Sequence, residues 1–359
     1  MRSRRLGQSD LLVPVVAFGA YALGGGYWGP IREPGGAADA EALRAVQAAL
    51  DAGMNAFDTA PVYGFGHSEE LLGRALAGRR SEALIMTKVG VRWDDLRGAG
   101  GLRMPDREGT LRPVELNSRP ESVRLEVERS LARLGVERID LLQVHARDPR
   151  TPVAETMGTL ADLVRAGLVR AVGVSNYTVE ELEEARLSLG SVPLASDQPQ
   201  YSLLARGIEA HVLPWARAAG VGLLVYAPLA QGLLSGKATA ERRFDPAEGR
   251  ARKADFALEN RARVNAVLAR AVAPVAARLG ASIAQTVIAW TADEPGVTAA
   301  LVGARTAAQA RENAAAGDLL LTPEERAAIG DAFRGVVLAR PRPSAAARLR
   351  SAVRRLLDG

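Results

Sequence analysis

The chain has 359 residues, 48% of them hydrophobic and 24% charged, which supports a sizeable folded core and argues against disorder. It contains no cysteine, which excludes disulfides, thiolate nucleophiles and cysteine-ligated metals. The net charge of +5 is interspersed along the chain and only its last stretch is clearly basic, the pattern of a solvated surface rather than of a nucleic-acid binder.

At the amino end, Met1–Arg5 followed by the apolar Leu11–Leu23 imitates a signal peptide. Gly7-Gln8-Ser9-Asp10 separates the charges from the apolar residues, and Pro14 and Gly19 interrupt the run. A hairpin of two short strands followed by a buried strand is expected instead. No later stretch offers the roughly 18 uninterrupted apolar residues of a membrane span. A cytoplasmic protein without membrane contact is expected.

Strands are then expected at Val15–Gly19, Asn55–Phe57, Ala83–Lys88, Ile139–Val144, Ala171–Val174, Leu194–Gln198, Gly222–Tyr226 and Thr298–Val302. Helices lie between them. Ser118-Arg119-Pro120-Glu121 and Thr178-Val179-Glu180-Glu181 both have capping-box spacing. The first helix carries Val123, Val127, Leu131 and Leu134 on one face and stops at Gly135. Thr151 before Pro152 and Gly167 after Arg165 bracket another. Apolar strands alternating with helices imply a parallel sheet covered on both faces, and eight such units fit an α/β (β/α)₈ TIM barrel with an amino-terminal hairpin. Two inserts, Val91–Asn117 and Ser235–Asp255, exceed ordinary loop length and read as lids or binding loops, or as disordered segments. A helix capped by Thr322-Pro323-Glu324-Glu325 follows the last strand, and the arginine-rich Arg340–Arg355 comes after it. The organisation is one barrel over residues 1–337 and a basic tail over 338–359.

Barrel enzymes build their sites at the carboxyl ends of the strands. Those positions carry Asp58 and then Tyr63, Lys88, His145, Ser175-Asn176, Gln198, Tyr226 and Gly303-Ala304-Arg305. The first four suit carbonyl reduction, in which hydride arriving at carbon leaves charge on oxygen and a proton must follow. Tyr63 supplies it, Lys88 lowers the phenol's pKa, Asp58 holds Lys88, and His145 orients the carbonyl oxygen. Only three of the 46 basic residues are lysines, namely Lys88, Lys237 and Lys253, so a lysine at a strand end is a selected choice. Lys237 and Lys253, both in the second insert, read as chance survivals.

The string Phe57-Asp58-Thr59-Ala60-Pro61-Val62-Tyr63-Gly64-Phe65-Gly66-His67-Ser68-Glu69 resembles the signature of the aldo-keto reductases. So do Ile139-Asp140-Leu141-Leu142-Gln143-Val144-His145, Gly173-Val174-Ser175-Asn176-Tyr177 and Tyr226-Ala227-Pro228-Leu229. The residues around His67 are more similar to the bacterial general-stress-type members and potassium-channel β-subunits than to the mammalian aldose reductases. The resemblance implies a (β/α)₈ barrel that binds a nicotinamide dinucleotide without a Rossmann fold, and a tetrad of Asp58, Tyr63, Lys88 and His145. It further implies that Ser175, Asn176 and Gln198 hold the nicotinamide carboxamide and that Tyr226 stacks on the ring. Leu229, Gln231, Gly232 and Leu234 would line the pyrophosphate, and Gly303, Arg305, Gln309, Glu312 and Asn313 the adenosine. Arg305 favours NADP over NAD through a 2′-phosphate, although Gln309 stands where some members have a second cation.

The expected partner is a small carbonyl compound; oligomeric state is open, and no metal is expected. A metal-dependent hydrolase would need converging ligands, but His211 falls near a helix and His67 opens the helix after Tyr63, so with His145 no triad is expected. A cofactor-binding regulatory subunit with slow turnover is the remaining rival. Trp28 and Trp93 either wall the substrate pocket or anchor loops.

Overall fold

The computed structural model describes residues 1–25, 37–106, 108, 110–246 and 248–339. Strands β1 (Ser3–Arg5) and β2 (Leu12–Pro14) form the amino-terminal antiparallel hairpin. β3 (Val16–Gly19), β4 (Ala56–Asp58) and β5 (Leu84–Val89) are the first three staves of the barrel. β6 (Val91–Arg92), β7 (Ala99–Pro105) and β8 (Leu111–Leu116) stand outside it as a separate sheet. β9 (Ile139–Val144), β10 (Val169–Val174), β11 (Leu194–Asp197), β12 (Gly222–Tyr226) and β13 (Val297–Val302) complete the barrel. It closes in the order β10-β11-β12-β13-β3-β4-β5-β9, every pairing parallel. This is the expected (β/α)₈ barrel, with the strands within two residues of their expected ends.

Two cores follow from the alternation of side chains along each strand. The barrel interior holds Ala17, Ala56, Met86, Leu141, Ala171, Ala195, Leu224, Ala299 and Leu301. The many alanines suit its narrow bore. Leu6, Leu11 and Val13 from the hairpin plug the amino-terminal end. Gly7 makes that seat possible. Its φ is +54°, and a Cβ there would stand 2.5 Å from the Ala195 carbonyl oxygen. The larger core, between barrel and helices, includes Phe18, Phe57, Ile85, Leu142, Val172 and Leu223.

Three expectations need correction. Val91–Asn117 is not a structureless loop, because β6, β8 and β7 pair antiparallel within it. The capping box at Thr178 and Glu181 forms, as does that at Thr322 and Glu325. The one at Ser118 does not. That helix, Pro120–Leu134, begins at proline with Arg119 as its cap, so Glu121 falls one place too early to reach back. The Ser118 amide is spent on Asp148 Oδ2 at 3.0 Å instead. Thr151 does not cap either: Pro152 precedes the helix Val153–Arg165, and the Thr151 hydroxyl donates to Asp148. The residue Trp28 and the arginine-rich stretch Arg340–Arg355 lie outside the described residues. No single described helix is long and apolar enough to cross a membrane.

Candidate active site

The loop after β4 brings Tyr63 to the barrel mouth, and local bonds hold it there. The Gly66 amide donates to the Pro61 carbonyl at 2.7 Å and the Ser68 amide to the Tyr63 carbonyl at 3.2 Å. Ser68 Oγ lies 2.9 Å from Thr59 Oγ1 and donates to the Ala20 carbonyl. Next to Tyr63, Gly64 has φ +63°, and a Cβ there would come within 2.2 Å of the Gly24 carbonyl oxygen. His67 Nε2 lies 3.0 Å from Asp39 Oδ1, tying the following helix, His67–Ala75, to Ala37–Asp51.

Lys88, the penultimate residue of β5, is fully buried beneath this loop. Its ammonium donates to Asp58 Oδ2 at 2.6 Å, to the Thr59 carbonyl at 2.9 Å and to the Tyr63 hydroxyl at 3.4 Å. The other oxygen of Asp58 accepts from Gln198 Nε2 at 2.8 Å and Gln143 Nε2 at 3.4 Å. A buried ion pair is stable only when its remaining lone pairs and protons are satisfied, and here both partners are. The His145 ring stands edge-on to Tyr63, with centroids 5.7 Å apart. The structure therefore brings all four expected tetrad residues together.

The electrostatics depart from expectation at Tyr63. The phenol is not lowered in this structure. Burial first, then the charge of Asp58 and the neighbouring Tyr226, hold it well above the ordinary phenol value. Burial also pushes the lysine down, against the pull of Asp58. His145 is pushed down to about 3 by burial and then by Lys88, which leaves a neutral imidazole at any working pH.

A cleft of about 1150 Å³ runs outward from Tyr63 and His145. Ser175, Asn176, Gln198, Tyr226, Leu229, Gln231, Gly232, Gly303, Arg305, Gln309, Glu312 and Asn313 all line it. Leu234 does not; it is fully buried in the core behind the wall. Ser175 Oγ donates to the Gln198 carbonyl and accepts from Asn176 Nδ2 at 2.9 Å, while the Tyr226 hydroxyl donates to Asn176 Oδ1 at 2.9 Å. Asn176, Ala227, Ala230 and Gln231 all have left-handed φ between 45° and 60°. Such strain at non-glycine residues gathers where a backbone is shaped around a ligand. Further along, the Arg305 amide donates to Gln309 Oε1 and Asn313 Nδ2 to the Gly303 carbonyl. The Arg305 side chain makes no hydrogen bond or ion pair among the described residues. The cleft's volume, its polar lining and this cradle fit a dinucleotide.

Several lining residues were not foreseen. Lys237 pairs with Glu312 at 2.9 Å, and Lys253 donates to Gln231 Oε1 at 2.9 Å. Both line the cleft, so these lysines are not incidental. Phe244 lines it too, surrounded by Arg242, Arg250 and Arg261 at 4.8–5.5 Å from its ring. The scarcity of lysine was the signal that would have found the first two. Trp93 packs edge-on against Phe65, with centroids 5.3 Å apart, and so anchors the Tyr63 loop.

The family model described as the Aldo/keto reductase family matches residues 15–333. The chain is 34% identical over 329 residues to the NADH-specific methylglyoxal reductase of Escherichia coli (strain K12), covering 90% of this chain and 95% of that protein. It is 32% identical to a protein of Oryza sativa subsp. japonica named probable voltage-gated potassium channel subunit beta, over 95% of this chain and 98% of the other. Among solved structures, the glycerol dehydrogenase of Gluconobacter oxydans matches with a TM-score of 0.81 at 36% identity, covering 95% of this chain and 98% of that one.

Proposed function

This chain belongs to the aldo/keto reductase family, and from that premise we propose that it reduces an aldehyde or ketone with NADPH, Tyr63 acting as general acid. The observation that carries the reading is the convergence of Tyr63, Lys88, Asp58 and His145 at the closed end of a dinucleotide-sized cleft.

Bound nicotinamide dinucleotide supplies the hydride. Ser175, Asn176 and Gln198 hold its carboxamide, for which Gln198 keeps an amide hydrogen and its oxygen beyond the bond to Asp58. Tyr226 packs on the ring and decides which face meets the substrate. Leu229, Gln231 and Gly232 line the pyrophosphate, with Leu234 supporting that wall from the core. Gly303, Arg305, Gln309, Glu312 and Asn313 receive the adenosine end. The free guanidinium of Arg305 suits a 2′-phosphate bidentately, which is why NADPH is favoured here although the relative from E. coli is named NADH-specific.

The substrate oxygen sits between Tyr63 and His145. Neutral His145 donates an N–H to it and fixes its direction. Because Tyr63 resists ionisation, it enters the reaction carrying its proton. An alkoxide is a far stronger base than a phenolate, so the proton moves to the substrate oxygen as charge develops there. The phenolate left behind lies 3.4 Å from the Lys88 ammonium, which Asp58 holds in place. Lys88 thus acts after the proton has begun to leave rather than by loosening it beforehand.

A second reading, a cofactor-binding subunit with slow turnover, is favoured by the likeness to the rice protein. One experiment separates the two: cofactor consumption with a panel of aldehydes and ketones, run with NADPH and NADH on the wild type and Arg305→Ala. Turnover with NADPH, and an NADPH KM raised about 10–100-fold in the variant with NADH unaffected, is expected. Undetectable oxidation of bound NADPH with every carbonyl would support the subunit reading, and an unchanged NADPH KM would remove Arg305 from the 2′-phosphate.

A further inference from the structure

Helix Leu258–Val267 spends its polar side chains on the backbones of two segments that wall the cleft. On the side of the second insert, Arg261 donates to the Thr239 and Arg242 carbonyls at 2.6 and 2.9 Å, and Asn265 Nδ2 to the Ala238 carbonyl at 2.9 Å. On the other side lies the stretch that follows helix Pro323–Arg334. Arg263 donates to the Val337 carbonyl there. Asn260 alone reaches both. It is fully buried, and its Nδ2 donates to the Ala254 carbonyl and the Ala339 carbonyl, both at 2.9 Å. Its Oδ1 accepts from the Ala339 amide at 2.7 Å. Both amide hydrogens and the oxygen are used.

The segments it joins face the same space. Asp255 and Phe256 line the cleft next to Ala254, and Val336, Val337 and Leu338 line it next to Ala339. Residues 336–339 belong to no helix or strand, so no ladder of backbone bonds fixes them. The paired bond between Asn260 and Ala339 stands in for that ladder.

Resting on the proposed carbonyl reduction, we infer that Asn260 is a positioning residue: it staples the apolar segment Val336–Leu338 to the second insert as one wall of the cleft, and so governs acceptance of carbonyl compounds with apolar substituents. It touches none of the tetrad. Its removal therefore changes substrate binding and leaves the chemical step alone.

The test uses the full chain and NADPH, with propanal and 3-phenylpropanal as probes, and the variants Asn260→Ala, Ala339→Pro and both together. Ala339→Pro removes the amide that bonds Asn260 Oδ1, and its ring also fixes φ at 339 and restricts Leu338. Each single variant is expected to raise KM for 3-phenylpropanal about fivefold or more, while kcat, KM for propanal and the NADPH Kd stay within about twofold. The double variant should cost less than the sum of the two, because the bond from the Ala339 amide is lost in both. Amide hydrogen exchange at residues 337–339 should accelerate about tenfold or more in Asn260→Ala. An unchanged ratio of KM values, equal loss with both aldehydes alongside a lowered Tm, or full additivity would each overturn the assignment. If the wild type consumed NADPH with neither aldehyde, the reductase reading and the substrate role inferred from it would fall. Unchanged exchange would overturn the staple itself.

Discussion

The floor of the cleft and its walls are held by different means. On the floor, Asp58, Lys88 and His145 sit at strand ends of a closed barrel, and Lys88 and Asp58 bond to each other at 2.6 Å. The walls are irregular chain fastened by side chains that reach distant carbonyls, as Arg261 reaches Thr239 and Asn260 reaches Ala339. A strand end cannot move without breaking the barrel, whereas a wall segment can be released one bond at a time. The floor is thus suited to chemistry that needs fixed geometry, and the walls to discrimination among substrates.

Perturbing each region should give distinct signatures. The largest losses belong to the floor. Lys88→Met should lower kcat about a thousandfold, as expected for disabling general acid catalysis, and should lower stability by about 3–5 kcal/mol because Asp58 stays buried without its cation. Steady-state kinetics beside thermal unfolding would measure both. A variant with normal kcat would show that the ion pair serves packing alone. Asn260→Ala belongs in the middle of the scale, with an effect confined to KM.

A third signature, read as a dependence on pH, concerns the frame between floor and walls. Asp197 ends β11 fully buried, beside Gln198, and burial pushes its carboxyl up to about 8 against the amides of Gln198, Tyr177 and Asn176 that face it. Its folded pKa is above the unfolded one, so the fold binds the proton more tightly. Its contribution is full below about pH 4 and is lost as pH rises toward about 8, with a slope of at most about 1.4 kcal/mol per pH unit. The substitution Asp197→Asn, which leaves nothing to titrate there, should therefore flatten that decline. Denaturant unfolding between pH 5 and pH 8.5 would show the stability of this variant rising relative to wild type as pH rises; a constant difference would contradict the assignment. Glu126, also pushed up to about 8, stays in both proteins and leaves part of the slope in place.

The same division explains what the sequence made legible. Each barrel strand is an apolar run, and the polar residue ending it is located by the run itself, which is how Asp58, Lys88, His145 and Gln198 came to be found together. The sheet of β6, β7 and β8 was hidden because Gly98, Gly100, Gly101, Pro105 and Pro113 read as breakers rather than as a hairpin. The fastening of the second insert was hidden because bonds such as Asn260 to Ala339 follow no periodicity. The sign of the shift at Tyr63 depended on burial and on the charge of Asp58 beside it, neither of which spacing reveals.

In the proposed reaction Tyr63 carries the proton to the substrate oxygen, while the cleft binds the cofactor without its help. Tyr63→Phe, assayed for NADPH binding by fluorescence and for carbonyl-dependent NADPH oxidation, tests it most directly. An NADPH Kd within about twofold of wild type and turnover reduced by about 10³-fold or more are expected. Retained turnover with intact cofactor binding would contradict it.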